Sequence, residues 1–221
     1  MTNSISQKEE AELAFWQSRL KLQGVLSNDH YEYFYTTHFG LAKEYYSGKK
    51  ILDIGCGPRG SLEWADVSEF RIGVDPLAFA YRNLGSRLHA MKYVACVAET
   101  LPFATGSFDI VCSLNSLDHV DDLNRVKNEI IRVISPGGIF LLITDIHRLP
   151  TILEPSAYLW DIVDQFLPAF ELVEKREIEI TVFSPEGFGD IYQSLKQGTP
   201  FDHVSTIDRN GGLSAMFRKC A

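Results

Sequence analysis

The sequence lacks any long apolar run. Its longest strongly apolar stretch, Ile139 to Ile143, falls far short of the ~20 residues a membrane span needs. It also lacks a basic surplus. Lys plus Arg number 21 against 29 Asp plus Glu, a formal net charge of −8. That balance argues against a broad phosphate-binding surface, so neither DNA nor bulk RNA is an expected partner. Cysteine is sparse: Cys56, Cys96, Cys112 and Cys220 include no CxxC pair, which gives no disulfide framework. The six histidines are scattered as well, so no metal site is expected. The opening MTNSISQKEEAELAFW has no basic segment followed by an apolar one, unlike a secretory signal. Reduced thiols, a cytoplasmic location and no membrane partner are the expectation. No internal repeat or low-complexity segment is evident.

What is present is an ordinary globular composition, 45% hydrophobic and 23% charged over 221 residues. That suffices for a full core and suggests one domain with an elaboration. Residues 1–45 read as a helical and aromatic extension. Ser6 and Glu9 fit a capping box, Leu13, Trp16 and Leu20 share a helical face, and Gly24 is a plausible stop. The aromatic run Tyr31, Tyr33, Phe34, Tyr35, His38 and Phe39 suits either a lid over a substrate or a helix packed on the core.

From residue 46 onward, strand and helix patterns alternate. Strands are expected at Lys50–Ile54, Phe70–Asp75, Tyr93–Val97, Phe108–Leu114 and Ile139–Thr144. Pro76 suits the first turn of a helix after the second strand. A helical stripe at Leu123, Val126, Ile130, Val133 and Ile134 is closed by Pro136-Gly137-Gly138. Ser156 to Phe166 suits a further helix, Glu177 to Phe183 alternates as a strand, and Leu213 to Lys219 follows the turn-like Asn210-Gly211-Gly212. Residues 184–210 read as an insertion over one sheet edge, with a helix near Ile191 to Lys196. This order predicts an α/β fold, a doubly wound and mainly parallel sheet covered on both faces.

The chemistry concentrates in Ile51-Leu-Asp-Ile-Gly-Cys-Gly-Pro-Arg-Gly60. A strand runs into Gly55 and Gly57, which permit a tight turn and close approach of a ligand to backbone. A short helix is expected next, its free N–H groups favouring an anion. Gly55, Gly57 and Gly60, with Asp75 at about the right distance, also satisfy the dinucleotide fingerprint. Asp53 separates the two readings. A pyrophosphate gains nothing from an adjacent carboxylate, whereas an ammonium-bearing ligand does. The plainer role for Asp53 is to stabilise the turn.

At these residues the chain resembles the class I S-adenosylmethionine (SAM)-dependent methyltransferases, particularly their small single-domain members. The resemblance covers roughly residues 45–145. It rests on DIGCGPRG (53–60), GVDP (73–76), AETLPFATGSFDIV (98–111), NSLDHVDD (115–122) and SPGGIFLLI (135–143). It implies a seven-stranded Rossmann-like sheet with an antiparallel C-terminal strand, in a SAM-binding domain of residues 46–221. It implies SAM as cofactor, S-adenosylhomocysteine as product and a small-molecule acceptor. Asp53, Gly55, Cys56 and Gly57 would hold the methionyl end. Asp75 would take the ribose hydroxyls, with Pro76 beside it and Leu77 against the adenine. Ala98 and Glu99 would meet the adenine edge, and Asn115 would line the methionyl side. Arg59 stands where the family often has glycine, and Val97 where it often has an acidic residue.

A base is needed only for an acceptor that must lose a proton. His119 and His147 follow the fourth and fifth strands, where open α/β sheets bind ligands. His119 also suits a structural role beside the helix that follows, and His147 that of a loop residue. An NAD(P)-dependent oxidoreductase and a non-catalytic SAM-binding protein are the competing readings.

Overall fold

A computed structural model describes residues 6–147, 149–152, 154–184, 189–205 and 209–221. Helix α1 spans Gln7–Gln23. The Ser6 hydroxyl accepts from the Glu9 N–H, the Glu9 side chain accepts from Ser6, and Gly24 ends the helix at φ 74°. No α1 residue is fully buried. Its Leu13, Trp16 and Leu20 pack on a small cluster of Leu26, Leu77, Tyr81 and Leu84. The short α2 (Tyr31–Tyr35) buries Tyr31, Phe34 and Tyr35.

Seven strands follow: β1 (Lys50–Ile54), β2 (Phe70–Val74), β3 (Lys92–Val94), β4 (Phe108–Leu114), β5 (Ile134–Ile146), β6 (Phe170–Glu179) and β7 (Gly211–Lys219). They form one sheet in the order β3-β2-β1-β4-β5-β7-β6. The pairs from β3 to β5 are parallel. Only β7 runs against its neighbours β5 and β6. The chain order reverses between β1 and β4, which opens a crevice at their carboxyl ends.

Both faces are covered because alternate strand residues point opposite ways. Leu52, Val111, Phe140 and Leu142 meet α3 (Leu123–Val133) through Val126, Ile130 and Val133. Ile51, Cys112, Leu141 and Ile143 meet Phe34, Tyr35, Phe39 and Leu62, together with Ile191 and Leu195 of α4 (Ile191–Gln197). The aromatic run is therefore core, with Tyr33 only partly buried.

Several expectations need correction. No helix follows β1: residues 57–64 are a succession of turns, so no helix N-terminus faces the crevice there. After β2 the chain forms 3₁₀ turns at Ala80–Leu84 and Ser86–Leu88. Strand β5 starts at Ile134, not Ile139. Pro136 to Gly138 lie in a register shift against β4, where a missing N–H is tolerated. Only Trp160–Phe166 of the expected helix forms, as a 3₁₀ segment burying Ile162, Val163 and Phe166. Strand β6 lies earlier than expected. It is the edge strand and carries six charged residues, Glu174 to Glu177 in succession, which suits an unpaired edge. Gly211 and Gly212 belong to β7, where a Cβ on Gly211 would stand 2.5 Å from the Trp160 ring. Within 184–210 the helix forms as expected, but residues 185–188 and 206–208 lie outside the described residues. No helix among the described residues is long and apolar enough to cross a membrane.

Candidate functional site

Strands β1, β2 and β4 end at Ile54, Val74 and Leu114, and all three line one cavity. After β1 the chain turns sharply at Gly55 and Gly57, at φ 71° and 56°. These left-handed angles are costly for any residue with a Cβ. At Gly55 there is also no room: a Cβ would lie 2.3 Å from that of Ser116. The Gly55 and Cys56 N–H groups donate to Val74 O at 2.9 and 3.2 Å, locking the turn to β2.

Asp75, just past β2, is buried at 8% exposure. Its carboxylate accepts from the Gly57 N–H at 3.2 Å and the Leu77 N–H at 2.9 Å. Burial nevertheless pushes it up to about 6. Asn115, past β4, holds φ 56°, and its N–H donates to Ile143 O at 2.7 Å. Its side-chain oxygen is buried without a hydrogen-bond partner. A cavity wall with an unpaired buried acceptor and a partly charged carboxylate is prepared for a polar ligand.

Of the ten residues expected to hold a cofactor, nine line this cavity: Gly55, Cys56, Gly57, Asp75, Pro76, Leu77, Ala98, Glu99 and Asn115. Glu99 is also engaged structurally, accepting from the Asp121 and Asp122 N–H groups at 2.9 and 3.2 Å. Asp53 is the exception. It shares the sheet face of Ile51, and its carboxylate accepts from the hydroxyls of Tyr35, at 2.9 Å, and Ser61. Burial pushes it up to about 7 despite these donors. The pleat thus turns Asp53 under the aromatic segment, not into the crevice.

The two histidines also part ways. His119 lines the cavity, with Nδ1 3.8 Å from Glu12 Oε2 and Nε2 3.9 Å from Asp118 Oδ1. His147 does not. It is buried, its Nδ1 2.9 Å from Leu149 O and its Nε2 3.8 Å from Asp118 Oδ2. The facing Asp118 carboxylate pushes it up to about 9, and it stands outside the cavity, so it is not placed to take a proton from an acceptor there.

Sequence reasoning marks residues 1–45 as a candidate substrate lid but assigns no α1 residue to the cavity. Lys8, Glu9, Glu12 and Trp16 of α1 line the cavity. The helix is held across it at both ends. Lys8 Nζ donates to His119 O at 2.9 Å. The Arg59 guanidinium lies 5.3 Å from the Trp16 ring centre and donates to Ser27 O and Gln23 Oε1 at 2.8 and 3.0 Å. Arg59, where glycine is common, thus fastens α1 over the glycine turn. Trp16 could be read only as an apolar face residue, because the cavity it faces is absent from local sequence. Tyr31 and Tyr192 also line it, with ring centres 6.2 Å apart.

Residues 52–142 match the profile of a family described as methyltransferase domain. The chain is 30% identical over 135 residues to the chloroplastic tocopherol O-methyltransferase of Arabidopsis thaliana, covering 56% of this chain and 38% of that protein. It is 30% identical over 148 residues to the ubiquinone biosynthesis O-methyltransferase of Psychrobacter arcticus, covering 63% and 52%. The chain thus spans at most about half the length of these two relatives. Among solved structures it resembles MccD (TM-score 0.59, 16% identity, 86% of this chain and 96% of that one). It also resembles the N-methyltransferase NodS of Bradyrhizobium japonicum in complex with S-adenosylhomocysteine (0.53, 15%, 80% and 81%). At such identity these two likenesses speak for the fold alone. The matched residues 52–142 contain the glycine turn, Asp75 and Asn115, so the likeness to a methyltransferase domain falls on the walls of the cavity.

Proposed function

We propose that the chain transfers a methyl group from SAM to a small-molecule acceptor by in-line displacement. SAM supplies an activated methyl group on a sulfonium that is already a good leaving group. The protein's task is then chiefly to position the two reactants and exclude water. The observation that carries this reading is Asp75, a buried carboxylate at the end of β2 that shares one cavity with the Gly55–Gly57 turn and the unpaired Asn115 oxygen. Asp75 would accept from the ribose hydroxyls, and Asn115 and the turn backbone would bound the methionyl end. Leu77 and Ala98 would flank the adenine, which Val97 cannot hydrogen-bond through its side chain.

The acceptor would enter beside Tyr31, Tyr192 and His119, with α1 acting as a cover. His119 is the base candidate that faces the cavity. Asp53, buried under Tyr35, supports the turn from behind and does not contact the ligand.

Calorimetric titration with S-adenosylhomocysteine and with NAD tests the cofactor. Turnover of methyl-labelled SAM with a metabolite extract tests the reaction. Binding of NAD alone would overturn the reading in favour of an oxidoreductase. Binding of S-adenosylhomocysteine without any labelled product would favour a non-catalytic binder.

A further inference from the structure

We propose that Asp118, His119, His147 and Glu154 form a site for one divalent transition-metal cation of the zinc class, at the wall of the cavity. Asp118 sits in the 3₁₀ turn Leu117–His119 that follows β4, with a fully buried side chain. Both its carboxylate oxygens lack a hydrogen-bond partner. A buried carboxylate with no donor is strongly disfavoured unless a cation compensates it.

The nearest groups stand too far away to bond it directly and close enough to share an ion with it. His147 Nε2 lies 3.8 Å from Asp118 Oδ2, and His119 Nε2 lies 3.9 Å from Oδ1. Glu154 Oε2 lies 4.0 Å from His147 Nε2. One ligand atom each from Asp118, His119 and Glu154 lies within 4.8 Å of the other two. Direct hydrogen bonds would bring such atoms to about 2.7–3.2 Å. Ligands ~2.0–2.2 Å from one ion stand roughly 3–4 Å apart.

The histidine tautomers agree. His147 Nδ1 is 2.9 Å from Leu149 O, so that nitrogen carries the proton it donates, and Nε2 is the position at which an ion would take a proton's place. That Nε2 is buried and without a hydrogen-bond partner. His119 turns Nδ1 toward Glu12, whose other oxygen accepts from the Trp16 indole N–H at 2.7 Å. Metal-bound histidines are characteristically held by a carbonyl or carboxylate on the second ring nitrogen. The frame is braced: the Ser156 N–H donates to Asp118 O at 3.1 Å, its hydroxyl to Val120 O at 2.9 Å, and the Tyr158 hydroxyl to Leu117 O at 2.8 Å.

Two imidazoles with two carboxylates suit zinc-class cations better than magnesium or calcium, which prefer all-oxygen shells. No spacing motif announces the site, because its ligands come from separate loops after β4 and β5. In the loaded protein His119 is a ligand and not a free base. The ion would instead offer a coordination position to an oxygen of the acceptor. That last role rests on the methyltransferase reading; ion binding itself does not.

The test is to strip the full chain with chelator and titrate it with Zn²⁺ and Mn²⁺, using Mg²⁺ and Ca²⁺ as oxygen-preferring controls. Calorimetry, thermal shift and metal content after gel filtration are the readouts. One equivalent of Zn²⁺ should bind and raise the midpoint. Asp118→Asn and Glu154→Gln should each weaken binding at least tenfold. In metal-free protein Asp118→Asn should keep the parent's far-ultraviolet circular dichroism and a cooperative unfolding transition, which separates ligand loss from misfolding. It should also still bind S-adenosylhomocysteine, since Asp118 does not line the cavity. Failure of all four cations to bind in stoichiometric amount would overturn the proposal, as would Zn²⁺ binding indifferent to both substitutions. Zn²⁺ binding without S-adenosylhomocysteine binding would uphold the ion site and refute only the cofactor reading.

Discussion

The Tyr35 hydroxyl donates to Asp53 Oδ2 at 2.9 Å, joining the segment before the sheet to the strand that leads into the glycine turn. Both residues are buried. Tyr35→Phe removes one of two donors to a buried carboxyl, so it should cost about 1–3 kcal/mol. Denaturant unfolding of the variant measures this. An unchanged midpoint would mean that Ser61 alone satisfies Asp53.

Asp53 also sets a pH dependence. Its ordinary value is near 3.8, and in the folded protein it rises to about 7. Between these values the native state holds a proton that the unfolded chain has lost. The stability this confers is complete below about pH 3.8 and is lost as pH rises through 7. The slope is at most about 1.4 kcal/mol per pH unit for this group. Asp53→Asn should flatten the decline between pH 5 and 7.5. Parallel curves for parent and variant would contradict this.

Asp75 should govern cofactor affinity. It titrates near 6, and only the carboxylate can accept two hydroxyl hydrogen bonds fully. Affinity for S-adenosylhomocysteine should therefore fall as pH drops below 6, approaching tenfold per unit. Asp75→Asn should bind weakly at every pH and lose this dependence. Isothermal titration across pH 5 to 8 decides.

Gly55→Ala meets two obstacles, a left-handed φ of 71° and a Cβ 2.3 Å from that of Ser116. The backbone term alone is roughly 1–2 kcal/mol. The turn must shift, and affinity for S-adenosylhomocysteine should fall more than tenfold. Far-ultraviolet circular dichroism should show the sheet retained.

Two truncations separate cover from core. Removing residues 1–24 takes away α1, which has no fully buried residue; the domain should fold and release S-adenosylhomocysteine faster. Removing residues 1–40 also takes away buried Phe34, Tyr35 and Phe39, each contributing roughly 1.5–3 kcal/mol; this chain should not fold. Equal release rates for the parent and the shorter truncation would exclude a covering role for α1.

Legibility of the sequence followed burial. Strands β1 and β4 were readable residue by residue, because a strand buried on both faces is a short apolar run between turn signals. Strand β6 was not, since FELVEKREIE lies on a sheet edge, carries four charged residues in a row (Glu174 to Glu177) and resembles a solvated segment. The helix expected after β1 follows from the strand and glycine turn alone; residues 57–64 instead bury Leu62 through successive turns, which that pattern does not distinguish from a helix. At the site, Gly55, Gly57, Asp75 and Asn115 were legible because each ends or follows a strand within a compact motif. The direction of Asp53 depends on the pleat, and the grouping of Asp118, His119, His147 and Glu154 depends on how two loops meet. Neither is encoded in local spacing.

Strand β7 lies between β5 and β6 and runs against both. Order of synthesis is therefore not order of assembly. As the chain leaves the ribosome, β6 emerges before the strand that is its neighbour in the sheet, and β5 waits with one side open. Until β7 slots between them, both strands are open to pairing with other chains. The last strand is the keystone of the sheet, and slow arrival or early loss of it should send nascent protein toward aggregation before the cavity can form.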